Sequence, residues 1–218
     1  MKDNIIKIGI SGKMRSGKGT AANAIKARLE EFEYRPKILS LATPLKELVK
    51  KGLGREDREA LQVFGTDIVR KGCATFFGTE KIWVNFLIST ANSLRESAIA
   101  DCFICDDVRF VDEAQTLKED GWVLVRIMVP EDVQLARPQD PAKGDIKAEA
   151  LSHESEIALD GRDDLFDIIV DGNKDIEALR VTMESIVDAI IEKTNGKLPT
   201  KAIDPNWKKH WPKESHTS

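Results

Sequence analysis

The sequence predicts an α/β domain built on a mostly parallel, five-stranded sheet with helices on both faces. Two observations indicate this class. Short β-branched runs alternate along the chain with segments whose apolar residues recur at helical spacing. The runs are almost continuously apolar, which is typical of parallel strands buried on both faces. A length of 218 residues suits one such domain with an insertion better than two domains.

The predicted elements follow one another in a regular order. The strands cover residues 5–10, 37–42, 102–106, 122–129 and 166–170. Thr43 and Pro44 together form a typical helix start, with Thr43 as the N-cap and Pro44 at the first helical position. The predicted helices cover residues 18–33, 44–51, 56–70, 80–98, 111–120 and 176–190.

Composition and charge exclude several classes of function. The 37 acidic residues exceed the 33 Lys and Arg residues, which gives a net charge of −4, whereas a dedicated duplex-DNA binder normally carries a basic face. No apolar run approaches the ~18 residues that a membrane helix needs, and residues 1–4 show no signal-peptide pattern. With only three cysteines, we expect a soluble, cytoplasmic protein.

Two segments depart from the alternating pattern and divide the chain. Residues 131–160, which we call the lid, are rich in charged residues, Ala and Pro, and a connection of this length is usually a lid or a disordered insert. Residues 196–218, which we call the tail, carry five lysines against two acidic residues and contain Trp207 and Trp211. The tail is either a mobile end or a segment that wraps a partner or its own domain. The main domain is therefore expected to cover residues 1–195.

The most specific motif is Gly-Lys-Met-Arg-Ser-Gly-Lys-Gly-Thr at residues 12–20, between a predicted strand and a predicted helix. This spacing is that of a phosphate-binding loop (P-loop), because glycines let consecutive N–H groups point at phosphate oxygens beside a helix N-terminus. Lys18 is placed to reach the β- and γ-phosphates of a nucleotide. Gly19 stands where a hydroxyl residue usually follows the lysine, so Thr20 supplies the hydroxyl for Mg²⁺.

A second candidate site lies at the end of the third strand, where Asp106 and Asp107 are followed by Arg109. Ligands bind at the carboxyl ends of parallel strands, so one of the two carboxylates could hold Mg²⁺ and Arg109 could reach a second phosphate. The alternative is that the aspartates cap the helix that begins near residue 111. Cys102 and Cys105, in the same predicted strand, are expected to pack in the core rather than to serve redox chemistry or bind zinc.

Six short blocks in order resemble the phage-type deoxynucleoside monophosphate kinases. The animal phosphomevalonate kinases look like distant relatives with the same layout. Without this resemblance, the segment around Arg58 and Arg70 would be an amphipathic helix, interrupted at Gly65, with plain surface charges. The blocks are residues 12–20, 41–46, 61–70, 83–84, 107–114 and 153–156.

The resemblance implies a P-loop kinase fold, a three-layer sandwich with an acceptor-binding helical region at residues 43–98 and the lid. Trp83 would either stack on a base or simply pack. The ATP-binding residues implied are Gly12, Lys13, Arg15, Ser16, Gly17, Lys18, Gly19 and Thr20. The acceptor-binding residues implied are Gln62, Asp67, Arg70, Trp83 and Arg109. Thr20 and Asp107 would hold Mg²⁺, and the catalytic residues would be Lys18, Asp107, Arg109 and Arg137.

The chain departs from the family pattern in three places. Gly19 stands where many relatives carry Asp. The arginine pattern of the lid is blurred, so Arg137, Lys143 and Lys147 compete for the role of the cation that neutralises the transferring phosphoryl group. The tail has no obvious counterpart in the family.

The sequence therefore predicts transfer of the γ-phosphoryl group of ATP, with Mg²⁺, to a deoxynucleoside monophosphate. The partners expected are these two nucleotides, with no duplex nucleic acid and no membrane. A homodimer with a second copy of the chain stays open. Two alternatives stay open. One is a kinase for another small phosphorylated acceptor such as phosphomevalonate, and the other is a regulatory protein that binds a nucleotide without transfer.

Overall fold

A computed structural model describes residues 5–54, 58–137 and 153–194 of the chain. All five predicted strands are present, and every strand pair is parallel. The strand order is β2-β3-β1-β4-β5. The bounds are β1 Ile6–Ser11, β2 Pro36–Leu39, β3 Cys102–Val108, β4 Val123–Met128 and β5 Ile168–Asp171.

Helical segments connect consecutive strands and close the fold. They are α1 Lys18–Glu31, α2 Thr43–Leu53, α3 Arg58–Gln62, a π-helical segment Val63–Arg70, α4 Lys71–Phe77, α5 Ile82–Glu96, α6 Val111–Glu119, α7 Glu131–Ala136, α8 Glu154–Ile157, a 3₁₀ turn Asp163–Leu165 and α9 Ile176–Thr194. In the part of the chain that the structure describes, no helix has the length and apolar character needed to cross a membrane.

Two details differ from the sequence-based prediction. The helix expected over residues 56–70 is not interrupted at Gly65, because the chain continues there in π-helical geometry and joins α4 directly. Thr43 is the first helical residue rather than the N-cap, which is Ala42 and makes no side-chain cap. The N–H groups before α2 are satisfied instead by a distant carboxylate, that of Asp107.

Two apolar cores lie on opposite faces of the sheet and make the fold three-layered. On one face, α1 and α9 pack against the strands through fully buried side chains such as Ile25 and Met183. On the other face, α5 and α6 pack through Leu87 and Leu117. Burial of each such side chain contributes roughly 1.5–3 kcal/mol to the free energy of unfolding. Cys102 and Cys105 are fully buried within β3, so the prediction that they pack in the core is confirmed.

The strand order brings the two motifs of the sequence together. β1 is central, and β3 is its direct neighbour, with Ser11 of β1 paired to Val108 of β3. The loop that follows β1 and the residues that follow Asp107 therefore leave the sheet side by side. This is the edge at which open parallel sheets bind ligands.

Candidate active site

The P-loop connects β1 to α1 and depends on two glycines. Gly12 has φ of +155° and Gly17 has φ of +94°. A Cβ at Gly12 would lie 2.5 Å from Ser16 Oγ, and one at Gly17 would lie 2.8 Å from Leu179 Cδ2. The backbone conformation and the lack of space both require glycine at these positions.

Lys18 lies in the first turn of α1 with its ammonium group turned back onto the loop. Nζ donates hydrogen bonds to the carbonyl oxygens of Gly12, at 2.6 Å, and Lys13, at 2.8 Å. Burial, and then the positive charge of Arg109, lowers the pKa of Lys18 to about 8, although Glu156 and Asp106 oppose the shift. An ammonium group that donates to two backbone carbonyl oxygens can exchange those partners for phosphate oxygens, which are stronger acceptors.

Both ends of the lid contact the P-loop. Gln134 Nε2 donates to the carbonyl oxygen of Met14 at 2.5 Å, and Glu156 Oε2 accepts from the N–H of Met14 at 2.8 Å. Lys13 and Asp160 form an ion pair at 2.8 Å. The described parts of the lid therefore hold the loop in shape from one side.

Arg137, one of the three cations considered for the transition state, also contacts the P-loop backbone. Its Nη1 donates to the carbonyl oxygen of Arg15 at 2.8 Å, and its Nη2 donates to that of Gly172. Its catalytic role stays a prediction, because these contacts anchor the lid rather than point at a phosphate. Lys143 and Lys147 lie outside the described residues.

A cavity of about 390 Å³ opens beside the P-loop, between the β2–α2 connection, the π-helical segment and the end of β3. Half of its lining residues are polar or charged, but most of the surface that they expose to the cavity is apolar. The lining residues are Leu41, Ala42, Leu45, Lys46, Leu61, Gln62, Gly65, Thr66, Trp83, Asp107, Arg109, Phe110, Glu113 and Ser155.

Three of the predicted acceptor-binding residues, Gln62, Trp83 and Arg109, line this cavity together. Trp83 also donates its indole N–H to the carbonyl oxygen of Gly65 at 3.0 Å, so it holds the π-helical segment in place while one side faces the cavity. The Nε2 atom of Gln62 is buried and has no hydrogen-bond partner among the described residues. A buried amide N–H that makes no hydrogen bond lowers the stability of the folded protein. A ligand that accepts a hydrogen bond from this atom would remove that cost, so the atom is suited to ligand binding.

Two other predicted acceptor-binding residues do not line the cavity. Arg70 is buried behind Phe110, with its guanidinium carbon 3.9 Å from the ring centroid, and it pairs with Glu80 at 2.7 Å and with Asp112. Burial opposes its charge, but the neighbouring carboxylates raise the pKa of Arg70. Asp67 pairs with Lys71 on the surface at 2.8 Å. Direct roles for Arg70 and Asp67 in acceptor binding stay predictions.

The two aspartates near the end of β3 have different surroundings. Asp107 accepts the N–H groups of Leu41, at 2.8 Å, and Ala42, at 3.1 Å, and so organises the rim of the cavity. Burial, and then the charge of Asp107, raises the pKa of Asp106, and the charges of Lys46 and Lys18 oppose that shift. The capping alternative therefore does not hold for Asp107, whose carboxylate accepts from N–H groups just before α2 rather than from the start of α6. Metal binding by one of the two aspartates stays a prediction.

The donor chemistry at this edge fits Mg²⁺. Thr20, Asp106 and Asp107 offer hard oxygen atoms. Among the described residues, no group of three or more His, Cys, Asp or Glu side chains is placed to hold a metal by itself. This agrees with the way Mg²⁺ is usually held, by one or two protein oxygens together with substrate phosphates and water.

Sequence reasoning missed two acidic residues that position Arg109. Glu113 accepts the N–H groups of Arg109, at 2.9 Å, and Phe110, at 3.0 Å, and burial above all raises the pKa of Glu113 to about 7. A glutamate at the third position of a predicted helix is the signal that could have found it, because its side chain can reach back to the N–H groups that precede the helix. Glu156 accepts a hydrogen bond from Nη1 of Arg109, and no local pattern indicates that contact.

Comparison with known proteins identifies the fold. No protein-family model and no curated protein matches the sequence. The solved shikimate kinase from Bacteroides thetaiotaomicron is similar, with a TM-score of 0.51 and 16% identity over 84% of this chain and 99% of the other. Shikimate kinase from Acinetobacter baumannii in complex with shikimate gives a TM-score of 0.51 and 15% identity, over 88% and 96%.

At these identities the similarity concerns the fold alone. The five-stranded parallel sheet with its P-loop has the fold of the P-loop kinases, so the fold class expected from the sequence is confirmed. The narrower resemblance to phage-type deoxynucleoside monophosphate kinases is carried by the six sequence blocks alone.

Proposed function

We propose that this protein is a kinase that transfers the γ-phosphoryl group of ATP to a nucleoside monophosphate, and that a deoxynucleotide is its preferred acceptor. One observation carries the proposal. A cavity with a mainly apolar surface that includes Trp83 and Phe110 has Arg109 in its lining, and the charge of Arg109 acts on Lys18 of the P-loop. A phosphate-binding loop close to a second cavity with a mainly apolar surface suits the transfer of a phosphoryl group between two nucleotides.

On the donor side, the P-loop amides and the N-terminus of α1 suit the phosphates of ATP. Lys18 would exchange its two carbonyl partners for phosphate oxygens. Thr20 and one of the two aspartates would hold Mg²⁺, which when bound offsets the charge of the phosphates. Of the aspartates, Asp106 is the better candidate, because both oxygens of Asp107 already accept hydrogen bonds from the β2–α2 connection.

On the acceptor side, the cavity has a charged end and an apolar end. Arg109 can grip a monophosphate through two parallel hydrogen bonds. Trp83, Phe110 and the leucines of α2 and α3 suit the flat face of a base. The unpaired amide of Gln62 could donate to a base oxygen or nitrogen. A small polyhydroxy acid would leave this apolar surface uncovered, which favours a nucleotide.

The transfer itself needs alignment and charge stabilisation rather than covalent participation of the protein. An oxygen of the acceptor phosphate attacks the γ-phosphorus in line, the bond to the β–γ bridging oxygen breaks, and ADP leaves. Lys18 and Arg109 would stabilise the charge that spreads over the transferring group. Closure of the lid would exclude water that would otherwise hydrolyse ATP.

One observation favours a second candidate acceptor. Lys46 lines the same cavity as Arg109, so the cavity presents two cations rather than one. An acceptor with two separate anionic groups, such as a phosphorylated small acid, would use both. A nucleoside monophosphate would use Arg109 for its phosphate and leave Lys46 beside Asp106, on which it acts electrostatically.

A panel of acceptors tests the proposal. Purified protein with ATP and Mg²⁺ is assayed for ADP in the presence of each ribo- and deoxyribonucleoside monophosphate, shikimate and phosphomevalonate. We expect ADP to form only with nucleoside monophosphates, and fastest with one deoxynucleotide. Transfer only to a phosphorylated acid would support the second candidate. Tight ATP binding without transfer to any acceptor would favour a non-catalytic nucleotide-binding protein.

A further inference from the structure

The carboxylate of Glu156 joins the two halves of the candidate site. Its Oε2 accepts the backbone N–H of Met14 in the P-loop at 2.8 Å, and its Oε1 accepts Nη1 of Arg109 at the edge of the cavity. The side chain is 2% exposed. One buried group thus contacts both the loop assigned to the donor and the arginine assigned to the acceptor.

The segment that carries Glu156 is firmly attached to the domain. His153 caps α8 by accepting the N–H of Ser155 at 3.2 Å. Arg126, which is buried in β4, donates to the carbonyl oxygen of Leu159 and pairs with Asp160 at 3.4 Å. The cap fixes the start of α8 within the segment itself, whereas Arg126 ties the residues just after α8 to β4. The position of the Glu156 carboxylate is therefore set by a helix that is anchored to the sheet.

Glu156 is charged in this position. Burial opposes ionisation, but the positive charges of Arg109 and Lys18 and the N–H of Met14 together lower the pKa of Glu156. In turn, Arg109 lowers and Glu156 raises the pKa of Lys18. The carboxylate therefore offsets the repulsion between the two cations that the proposed transfer reaction needs close together.

Arg109 keeps most of its donors for a ligand. Its side chain is 31% exposed and lines the cavity, and within the described part of the chain its guanidinium is bonded through Nη1 alone. The contact with Glu156 therefore fixes the direction of the guanidinium plane while leaving its other N–H groups available.

We infer that Glu156 is a positioning residue that aligns the acceptor phosphate with the donor phosphates, by fixing Arg109 and the Met14 peptide through the two oxygens of one carboxylate. This inference rests on the proposed function for its kinetic consequence but not for its geometry. In-line transfer is sensitive to such alignment, because a misplacement of 1 Å can cost about 100-fold in rate.

The substitution Glu156→Gln separates positioning from simple packing. Glutamine has the same shape but only one acceptor oxygen, so it cannot accept from both Met14 and Arg109. Glu154→Gln is the matched control, since Glu154 lies on the same short helix with its side chain 54% exposed and only a surface contact of 3.3 Å to Lys71.

We expect Glu156→Gln to reduce kcat/KM for the acceptor about 100-fold, with a smaller change in the affinity for ATP alone and wild-type behaviour of Glu154→Gln. In an Arg109→Lys background, the same substitution should have little further effect, because the two residues act as a unit. Additive losses in the double variant would overturn the inference. Tighter ATP binding by Glu156→Gln with unchanged kcat would also overturn it. That result would mean that the Glu156 carboxylate occupies the place of a phosphate group in the free protein and has to be displaced when ATP binds.

A second measurement decides the inference even if the proposed function fails. The guanidinium nitrogen and Met14 amide signals of the ligand-free protein are followed by ¹⁵N NMR. We expect both signals to shift in Glu156→Gln and neither to shift in Glu154→Gln. Unchanged signals would overturn the positioning role. Absence of transfer to any acceptor by the wild-type protein, with the expected NMR shifts, would overturn the proposed function alone.

Discussion

The P-loop and the cavity beside it are built in opposite ways. The P-loop is one continuous segment whose shape follows from two glycines and a lysine that bonds to the loop itself. The cavity is assembled from five separate segments of the chain. Each region holds a buried polar atom that makes no hydrogen bond to any residue the structure describes, Ser16 Oγ in the loop and Gln62 Nε2 beside the cavity.

The difference matters for function. A local loop can bind phosphate with almost any domain around it, which is why a P-loop indicates a nucleotide without indicating the reaction. A cavity made of distant segments takes its size and polarity from packing, so acceptor choice depends on the whole fold. Substitutions in the P-loop should therefore impair ATP binding and turnover, whereas substitutions around the cavity should impair use of the acceptor.

The largest expected effect is on the P-loop. Lys18→Ala should reduce kcat by two to three powers of ten, because a single cation on a transferring phosphoryl group is commonly worth ~3–4 kcal/mol. Turnover is measured by ADP release, and folding by thermal unfolding. Lys26→Ala, which removes an exposed lysine from the same helix, is the control, and equal activity of the two variants would refute the donor assignment.

On the cavity side, Arg109→Lys should lower kcat/KM for the acceptor by ~2 kcal/mol, about 30-fold, while the equilibrium affinity for ATP changes little. Calorimetry with ATP and acceptor kinetics on one preparation separate these quantities. Arg180→Lys, an exposed arginine on α9 paired with Glu177, should leave both unchanged. Loss of ATP binding with a normal acceptor KM would assign Arg109 to the donor side instead.

The pH dependence distinguishes the two regions further. The pKa of Lys18 is lowered to about 8, so the free enzyme loses this positive charge as the pH rises through 8. We expect kcat/KM for ATP to fall about tenfold from pH 7 to pH 9. With ATP saturating, phosphates stabilise the ammonium, and the decline in kcat/KM for the acceptor should begin at higher pH. Parallel declines for both substrates would contradict this.

The smallest effect concerns the wall of the cavity. A Cβ at Gly65 would lie 2.5 Å from Leu45 Cδ2, whereas one at Gly72 in α4 would meet nothing within 4 Å. Gly65→Ala should lower the free energy of unfolding by ~1 kcal/mol or more and raise the acceptor KM. Gly72→Ala should raise stability by ~0.4–1 kcal/mol and leave KM unchanged. Denaturant unfolding and acceptor kinetics compare the pair.

Sequence reasoning succeeded where the signal was local. All five strands and the P-loop were predictable, because strand burial and glycine-dependent loops leave patterns within about ten residues. The prediction of a helix interruption at Gly65 was wrong. Glycine usually destabilises a helix, but here the helix continues, and the lack of a Cβ at Gly65 lets Leu45 pack against it. Packing places Arg70 behind Phe110 among three carboxylates, an environment that the sequence did not indicate, and its role at the acceptor stays a prediction.

The amino-acid sequence by itself determined the parallel sheet, the P-loop and the presence of Arg109 just after a central strand. Only the tertiary structure decided what surrounds Arg109, because Glu156 lies 47 residues away and no periodicity links the two positions. It also decided that Asp107 accepts the N–H of Ala42, just before α2, across a separation of 65 residues. Charged hydrogen bonds of this kind depend on which segments the strand order brings together, and strand order is a property of the whole chain rather than of any motif.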